Sequence, residues 1–224
     1  MTIPTASVRR FRLRGVNAYL VSDGSETVLV DAGTPWDRDR LLRGLARVNL
    51  DPGAIDRVLV THFDLDHVGT LASLSLRDDV PIHLAEPDAS HLTGASKPSL
   101  SSLKSAAQRA LASFVERPTN PVEVVRDSDE LGGFVAYRTP GHTPGHTAFV
   151  HEGHGVAFVG DMVRESNGRL GLLPGFIATD AAENRRSVRE FAARCPPVDV
   201  VAVGHGEPVT EHGYGALKRL ADKL

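Results

Sequence analysis

Apolar and polar positions change period several times along the 224 residues, and the changes divide the chain into elements. Residues 11–14, 18–22 and 27–30 are short β-branched or aromatic runs that predict strands, with Asp23-Gly24 as a hairpin turn. The spacing then lengthens. Thr34-Pro35 has the order of an N-cap followed by a first-turn proline. Leu41, Leu42, Leu45 and Val48 recur at helical spacing, and Asp51-Pro52-Gly53 stops the helix. The apolar run 55–60 predicts a buried strand, and 67–75 a helix after it. A strand is expected over 80–84. Between 99 and 116, Leu100, Leu103, Ala107, Leu111 and Phe114 mark one amphipathic helix. Strands are expected over 122–125, 134–138, 147–151 and 156–159. Asp180-Ala181-Ala182-Glu183 is a capping-box pattern opening a helix to about Ala193. A strand over 198–203 follows, and Leu217, Leu220, Ala221 and Leu224 suit a terminal helix. Strands, helix, strand and helix recur in both halves, which predicts a layered mixed α/β (α+β) domain. No low-complexity stretch or linker divides residues 1–224, so one domain is expected.

Composition narrows the class. Hydrophobic residues at 41% and charged residues at 24% are ordinary for a water-soluble globular protein. The net charge of −3 gives no pull toward nucleic acid. Cys195, the single cysteine, precedes Pro196-Pro197 and has no disulfide partner; it reads as a small apolar residue near a helix end. Residues 1–10 lack an apolar core of signal-peptide length, and no stretch is long enough to span a bilayer. A cytoplasmic protein with no membrane partner, monomeric or homodimeric, is the expectation.

The candidate chemistry starts where the 55–60 run ends. In His62-Phe63-Asp64-Leu65-Asp66-His67, four potential metal ligands fall within six residues. Without a cation, Asp64 and Asp66 would repel each other and gain little from burial. A divalent ion removes that problem, because neutral imidazole and carboxylate suit zinc, iron and manganese. Taken alone, the run also fits a polar loop with a helix cap. Three later segments reduce that alternative. Thr139-Pro140-Gly141-His142-Thr143-Pro144-Gly145-His146-Thr147 sets two histidines among turn residues, Phe158-Val159-Gly160-Asp161 ends an apolar run on a carboxylate, and Val203-Gly204-His205-Gly206 ends another on a histidine.

Taken together, residues 17 to about 208 resemble the metallo-β-lactamase superfamily, in its glyoxalase II-like and lactonase-like branch. Val30-Asp31-Ala32-Gly33 is similar to the family's early Asp-x-Gly turn. His62, Asp66 and His67 match its His-x-His-x-Asp-His signature. The resemblance implies a four-layer αβ/βα sandwich with two mixed β-sheets. It also implies one metal held by His62, the residue at 64 and His142, and a second by Asp66, His67 and His205, with Asp161 shared. The chain departs from the pattern at Asp64, where the family usually has histidine. The extra charge and harder oxygen should favour Mn²⁺ or Fe²⁺ relative to Zn²⁺ at that position and make bound water less acidic. The other possibility is that Asp64 faces away and only the second metal binds tightly.

These residues lead to an expected activity. Two divalent ions, zinc first with manganese or iron as alternatives, would share a bridging hydroxide that attacks a small-molecule acyl substrate: a thioester, lactone, ester or β-lactam. Asp66 and Asp161 are the expected catalytic carboxylates, Asp161 fixing the separation of the ions and Asp66 orienting the nucleophile or carrying a proton. The alternatives are phosphodiester hydrolysis, for which no basic run argues, and a non-catalytic metal-binding module. His146 is expected to support the site from behind or start a strand rather than ligate, and Asp31 to support a ligand from behind or stabilise a turn. His83, His91, His151, His154 and His212 carry no motif and are expected in the core or on the surface. Residues 170–177 would line the pocket or simply pack on the surface. The 99–116 helix would cap the site or form a dimer contact.

Overall fold

The structure is a computed structural model that describes residues 7–24 and 26–224. Residues 1–6, within the stretch expected to lack a signal peptide, lie outside the described residues, as does Ser25. The first sheet begins as an antiparallel meander of β1 (Val8–Arg12), β2 (Asn17–Ser22) and β3 (Thr27–Val30). It continues in parallel through β4 (Arg57–Leu59), β5 (Ile82–Leu84) and β6 (Val122–Val124), paired in chain order. The second sheet contains β7 (Glu130–Leu131), β8 (Phe134–Arg138), β9 (Thr147–His151) and β10 (Val156–Gly160) as antiparallel neighbours. A parallel strand, β13 (Val200–Val203), closes it beside β10. Between β10 and β13 in chain order comes a separate hairpin of β11 (Arg164–Ser166) and β12 (Arg169–Gly171).

Alternation along the strands builds the layers, because successive side chains leave opposite faces of a sheet. Tyr19, Val21, Val28, Val30 and Leu59 point between the sheets and meet Phe134, Phe149, Phe158 and Ala202. Leu20, Leu29, Val58 and Ile82 point outward against α1 (Arg38–Ala46) through Leu41 and Leu45, and against α3 (Asp88–Thr93) through Ala89 and Leu92. On the far side, Val150, Ala157, Val201 and Val203 pack on α5 (Ala181–Arg194) and α6 (Gly213–Ala221) through Val188, Phe191 and Leu217. The result is the expected αβ/βα sandwich with two mixed sheets. Each fully buried large side chain is worth about 1.5–3 kcal/mol, so these three clusters dominate the stability. The sheets are also tied by polar bonds at one edge. The Tyr19 hydroxyl donates to Val203 O at 2.7 Å, and Asn17 Nδ2 donates to Val203 O at 3.0 Å and Gly206 O at 2.9 Å. These bonds hold the turn that carries His205.

Two predicted helices are different in the structure. The helix expected over 67–75 is a single turn, α2 (Leu65–Val68), followed by a separate 3₁₀ turn over Leu71–Ser73. Asp64 occupies the N-cap position but its side chain makes no capping bond, because that carboxylate is engaged elsewhere. The helix expected over 99–116 is α4 (Leu103–Leu111), continued by a 3₁₀ turn over Ala112–Phe114. Its buried residues are the polar Ser105 and Gln108, while Leu100, Leu103, Leu111 and Phe114 are exposed. The apolar stripe therefore does not mark its inner face, because this helix packs over a polar loop rather than a sheet. Several short elements escaped the periodicity altogether, among them β7, α3 and the β11–β12 hairpin. α3 is only six residues long. The β11–β12 hairpin turns at Asn167-Gly168, both at positive φ (54° and 75°), which is a local signal the apolar pattern does not contain.

Candidate metal centre

Ligand-type side chains gather at one edge of the sandwich because three strands end there. β4 leads into His62, β10 into Asp161 and β13 into His205; the turn between β8 and β9 supplies His142. The structure brings all seven expected residues together in three groups: His62, Asp64 and His142; His62, His67 and Asp161; and Asp66, His67 and His205. Within each group the ligand atoms lie within 4.8 Å of one another. Asp161 stands between the groups. Its Oδ1 is 3.5 Å from His67 Nε2, and its Oδ2 is 3.1 Å from His205 Nε2 and 3.6 Å from His142 Nε2.

Hydrogen bonds behind the centre aim the imidazoles. Asp31 accepts from His67 Nδ1 at 2.9 Å, so the Nε2 lone pair of His67 faces the centre. Asp31 also accepts from Thr61 N at 2.8 Å and from Thr61 Oγ1, whose oxygen in turn meets His62 Nδ1 at 3.0 Å. His205 Nδ1 donates to Gly15 O at 2.8 Å. Nε2 of His62, Nε2 of His67 and Oδ1 of Asp161 are then buried without a hydrogen-bond partner. Orphaned donor atoms converging in this way fit a divalent cation bound by nitrogen and oxygen, since an unpaired buried polar atom is costly otherwise. Gly204 is required by close approach: a Cβ there would lie 2.2 Å from Asp161 Oδ1.

The electrostatics show the same demand for positive charge. Burial lowers the His67 pKa, but Asp31 and Asp161 outweigh it and hold the group well above its usual range. For His205, Asp161 and Asp66 overcome burial and bring the value to about 10. Asp161 is held well below the carboxylate range, against burial, by His67 and His205. Burial and the neighbouring His67 push His62 down to about 4. The carboxylates thus favour positive charge on His67 and His205, and a cation taking those ring nitrogens would compete with protons there.

Asp64 faces the centre and is 7% exposed. Its Oδ2 lies 3.0 Å from His142 Nε2 and 3.3 Å from His62 Nε2. The same oxygen takes the ammonium of Lys104, and Gln108 Nε2 donates to Oδ1 at 3.1 Å. Gln108 also donates to Phe63 O. Lys104 and Gln108 are four residues apart on α4, so one helical face covers the loop. The alternative in which Asp64 turns away is excluded by this geometry. The expectation that Asp64 adds a net negative charge is corrected too: Asp64 and Lys104 together are neutral, as the family's imidazole would be. Sequence reading missed Lys104 and Gln108 because their contact with Asp64 is long-range.

The remaining residues separate into supports and bystanders. His146 Nε2 accepts from Asp161 N at 3.1 Å, and its Nδ1 meets Thr139 Oγ1 at 2.8 Å, so both ring nitrogens are used in holding the β10 turn. Asp88 is fully buried and joins two loops: it accepts from Phe63 N at 2.8 Å, Thr143 Oγ1 at 2.6 Å and Gly145 N at 2.9 Å. Burial raises its pKa to about 6. His83, His91, His151, His154 and His212 join none of the three groups. An open cavity of about 360 Å³ lies over the centre. Asp64, Asp66, His142, Asp161 and His205 form its floor; Leu173, Pro174 and Ile177 form one wall, and Lys104 and Arg164 add two cations. Residues 170–177 take both roles left open to them: Leu173, Pro174 and Ile177 line the cavity, while Leu170 and Leu172 pack on the outer core; α4 covers the ligand loop.

With this geometry, the sequence matches the metallo-β-lactamase superfamily from residue 11 to residue 205. The chain belongs to that superfamily. Among solved structures, TTHA1623 in a di-iron-bound form is 30% identical, with a TM-score of 0.69, over 95% of this chain and 98% of that one. The probable metallo-hydrolase YflN of Bacillus subtilis is 24% identical over 93% of this chain and 87% of its own length. The uncharacterized protein ML0493 of Mycobacterium leprae is 31% identical over 91% and 90%. The superfamily member described here is accordingly a metallo-hydrolase by kinship, with a His/Asp metal centre. Among the described residues no helix is long and apolar enough to cross a membrane.

Proposed function

We propose that the protein is a hydrolase that uses two divalent ions to open an acyl bond in a small molecule: a thioester, lactone, ester or β-lactam. The observation that carries this reading is the pairing of triads around Asp161, at the floor of an open cavity. TTHA1623, with two irons, supports the two-ion count. When bound, such ions supply Lewis acidity and lower the pKa of a coordinated water to about 7, which makes a nucleophile at neutral pH. The chain's own residues do the rest. His62, Asp64 and His142 would hold one ion, Asp66, His67 and His205 the other, and Asp161 would touch both. Asp66 is half-buried at the mouth beside His205 (3.4 Å), where it can orient the nucleophile or take its proton. Leu173, Pro174 and Ile177 present apolar surface to the acyl group, and a cavity of about 360 Å³ suits a small molecule.

The donors support zinc first, with manganese or iron as alternatives. Imidazole and carboxylate accommodate zinc, iron and manganese, with Asp64 weighting the first position toward the harder ions. A panel of acyl thioesters, lactones, aryl esters, a chromogenic β-lactam and an aryl phosphodiester tests the reading, assayed with Zn²⁺, Mn²⁺ and Fe²⁺. Turnover of an acyl substrate that chelation abolishes and ion return restores is the expected result. Cleavage of the phosphodiester alone would overturn the acyl assignment.

A further inference from the structure

Asp64 Oδ2 is hydrogen-bonded by two groups and approached by a third. His142 Nε2 and His62 Nε2 lie 3.0 Å and 3.3 Å from it, and the Lys104 ammonium contacts it directly. A cation in the first triad needs that oxygen and those two imidazole nitrogens. Lys104 has no other ion pair among the described residues, and its side chain is 11% exposed. The second triad has no such occupant: Asp66 and His205 are half-buried and open to the cavity.

We propose that Lys104 and the first metal ion compete for Asp64, so that the buried triad loads after, and more weakly than, the triad of Asp66, His67 and His205. The inference rests on the two-ion reading of the centre. A divalent ion and an ammonium sharing one buried oxygen repel each other strongly where water is scarce. Lysine can yield, because its charge sits on a flexible four-carbon stem. Lys104 also lines the cavity, so the ammonium can leave Oδ2 for solvent without unpacking α4. Gln108 holds Oδ1 and Phe63 O throughout, which keeps Asp64 aimed at the centre while Lys104 moves. The departure from the family's histidine thus acquires a role. The Asp64–Lys104 pair closes the first position when ion is scarce and opens it when the ion concentration rises.

Co²⁺ titration of the metal-free protein, by calorimetry and chelator competition, tests this on wild type, Lys104→Met and Lys104→Gln. Two binding events at least tenfold apart in Kd are expected for wild type. In either variant the weaker event should tighten about tenfold or more, while the tighter one shifts less than threefold. A weaker event that is unchanged or weakened in the variants overturns the competition and leaves Lys104 as a positioning residue for Asp64. A single event in all three proteins overturns the two-ion reading itself. Amine labelling of wild-type Lys104, read by mass spectrometry, needs no variant. Labelling that rises with the second equivalent of Co²⁺ and not with the first is the expected result; protection that is unchanged by both overturns the proposal.

Discussion

The two triads draw on one six-residue loop yet sit in different surroundings. His62, Asp64 and His142 are all buried, covered by α4, with Asp88 bracing the loops behind them. Of Asp66, His67 and His205, only His67 is buried; the other two open to the cavity. In the closed triad a lysine balances the carboxylate. In the open triad the carboxylates face imidazoles instead, and Asp31, Asp66 and Asp161 raise the pKa values of His67 and His205. The difference teaches that one ligand motif can make two unlike donor sets when the residues packed behind it differ. On the two-ion proposal, an ion entering the open triad would compete with protons on imidazole, while an ion entering the closed triad would displace a side chain.

The strongest way to erase the comparison is Asp161→Ala, since that carboxylate reaches both triads. Turnover should fall by several orders of magnitude while circular dichroism stays native, because the residue ends a strand without building the core. Activity within a few-fold of wild type would remove Asp161 from the centre.

Asp64→Ala should affect the closed triad much more than the open one. Chelator competition should show the weaker ion site lost and the tighter one nearly unchanged. The variant also removes the partner of the Lys104 ammonium, which can then turn into the cavity. Thermal melts should therefore show Asp64→Ala close to Asp64→Ala/Lys104→Met. Asp64→His alone would put an imidazole beside the ammonium. The double variant Asp64→His/Lys104→Met should recover the first ion and move its preference toward Zn²⁺.

His146→Gln sharpens the comparison from behind. It removes the ring that accepts Asp161 N, so the shared carboxylate should lose its aim and activity should drop by about 10–100-fold, with both ions weakened together. Weakening of a single ion would show that His146 serves only one triad.

The smallest expected effect concerns Asp88, the brace of the closed half. Its carboxyl is raised to about 6 by burial, against an ordinary value of 3.8. Between those values the folded protein binds the proton more readily than the unfolded chain, so this group lowers stability as pH rises through that window. Asp88→Asn lacks the titration. The difference in melting temperature, variant minus wild type, should become more positive from pH 4 to pH 7 in the metal-free protein. A flat difference would show that the carboxyl titrates alike in both states.

Local reading of the chain reached the ligands because each is announced by its own segment. A strand of apolar residues that ends on His62, Asp161 or His205 is visible over six or seven positions, and His142 stands between two turn residues and a threonine. The sheets were legible for the same reason, since a short continuous apolar run reports a strand with two buried faces. Residues 67–75 misled because helical spacing does not show that the loop is pulled toward the ligands after one turn. Residues 99–116 misled in the opposite sense. Their apolar stripe is real, but the helix is held by Ser105, Gln108 and Lys104 over a polar surface.

The sequence by itself determined the strand ends, the inventory of seven donors and the four-layer resemblance, because those are properties of neighbouring residues. Only the tertiary structure decided what the odd residue at 64 does. Lys104 and Gln108 follow Asp64 by 40 and 44 positions, and nothing in either local pattern marks them as its partners. Their meeting depends on how α4 is rotated against the ligand loop, and that rotation is settled by packing among elements distant in the chain. Charge balance at the centre is therefore a property of the fold. The same carboxylate that reads as an added negative charge along the chain is, once the helix is in place, half of a neutral pair.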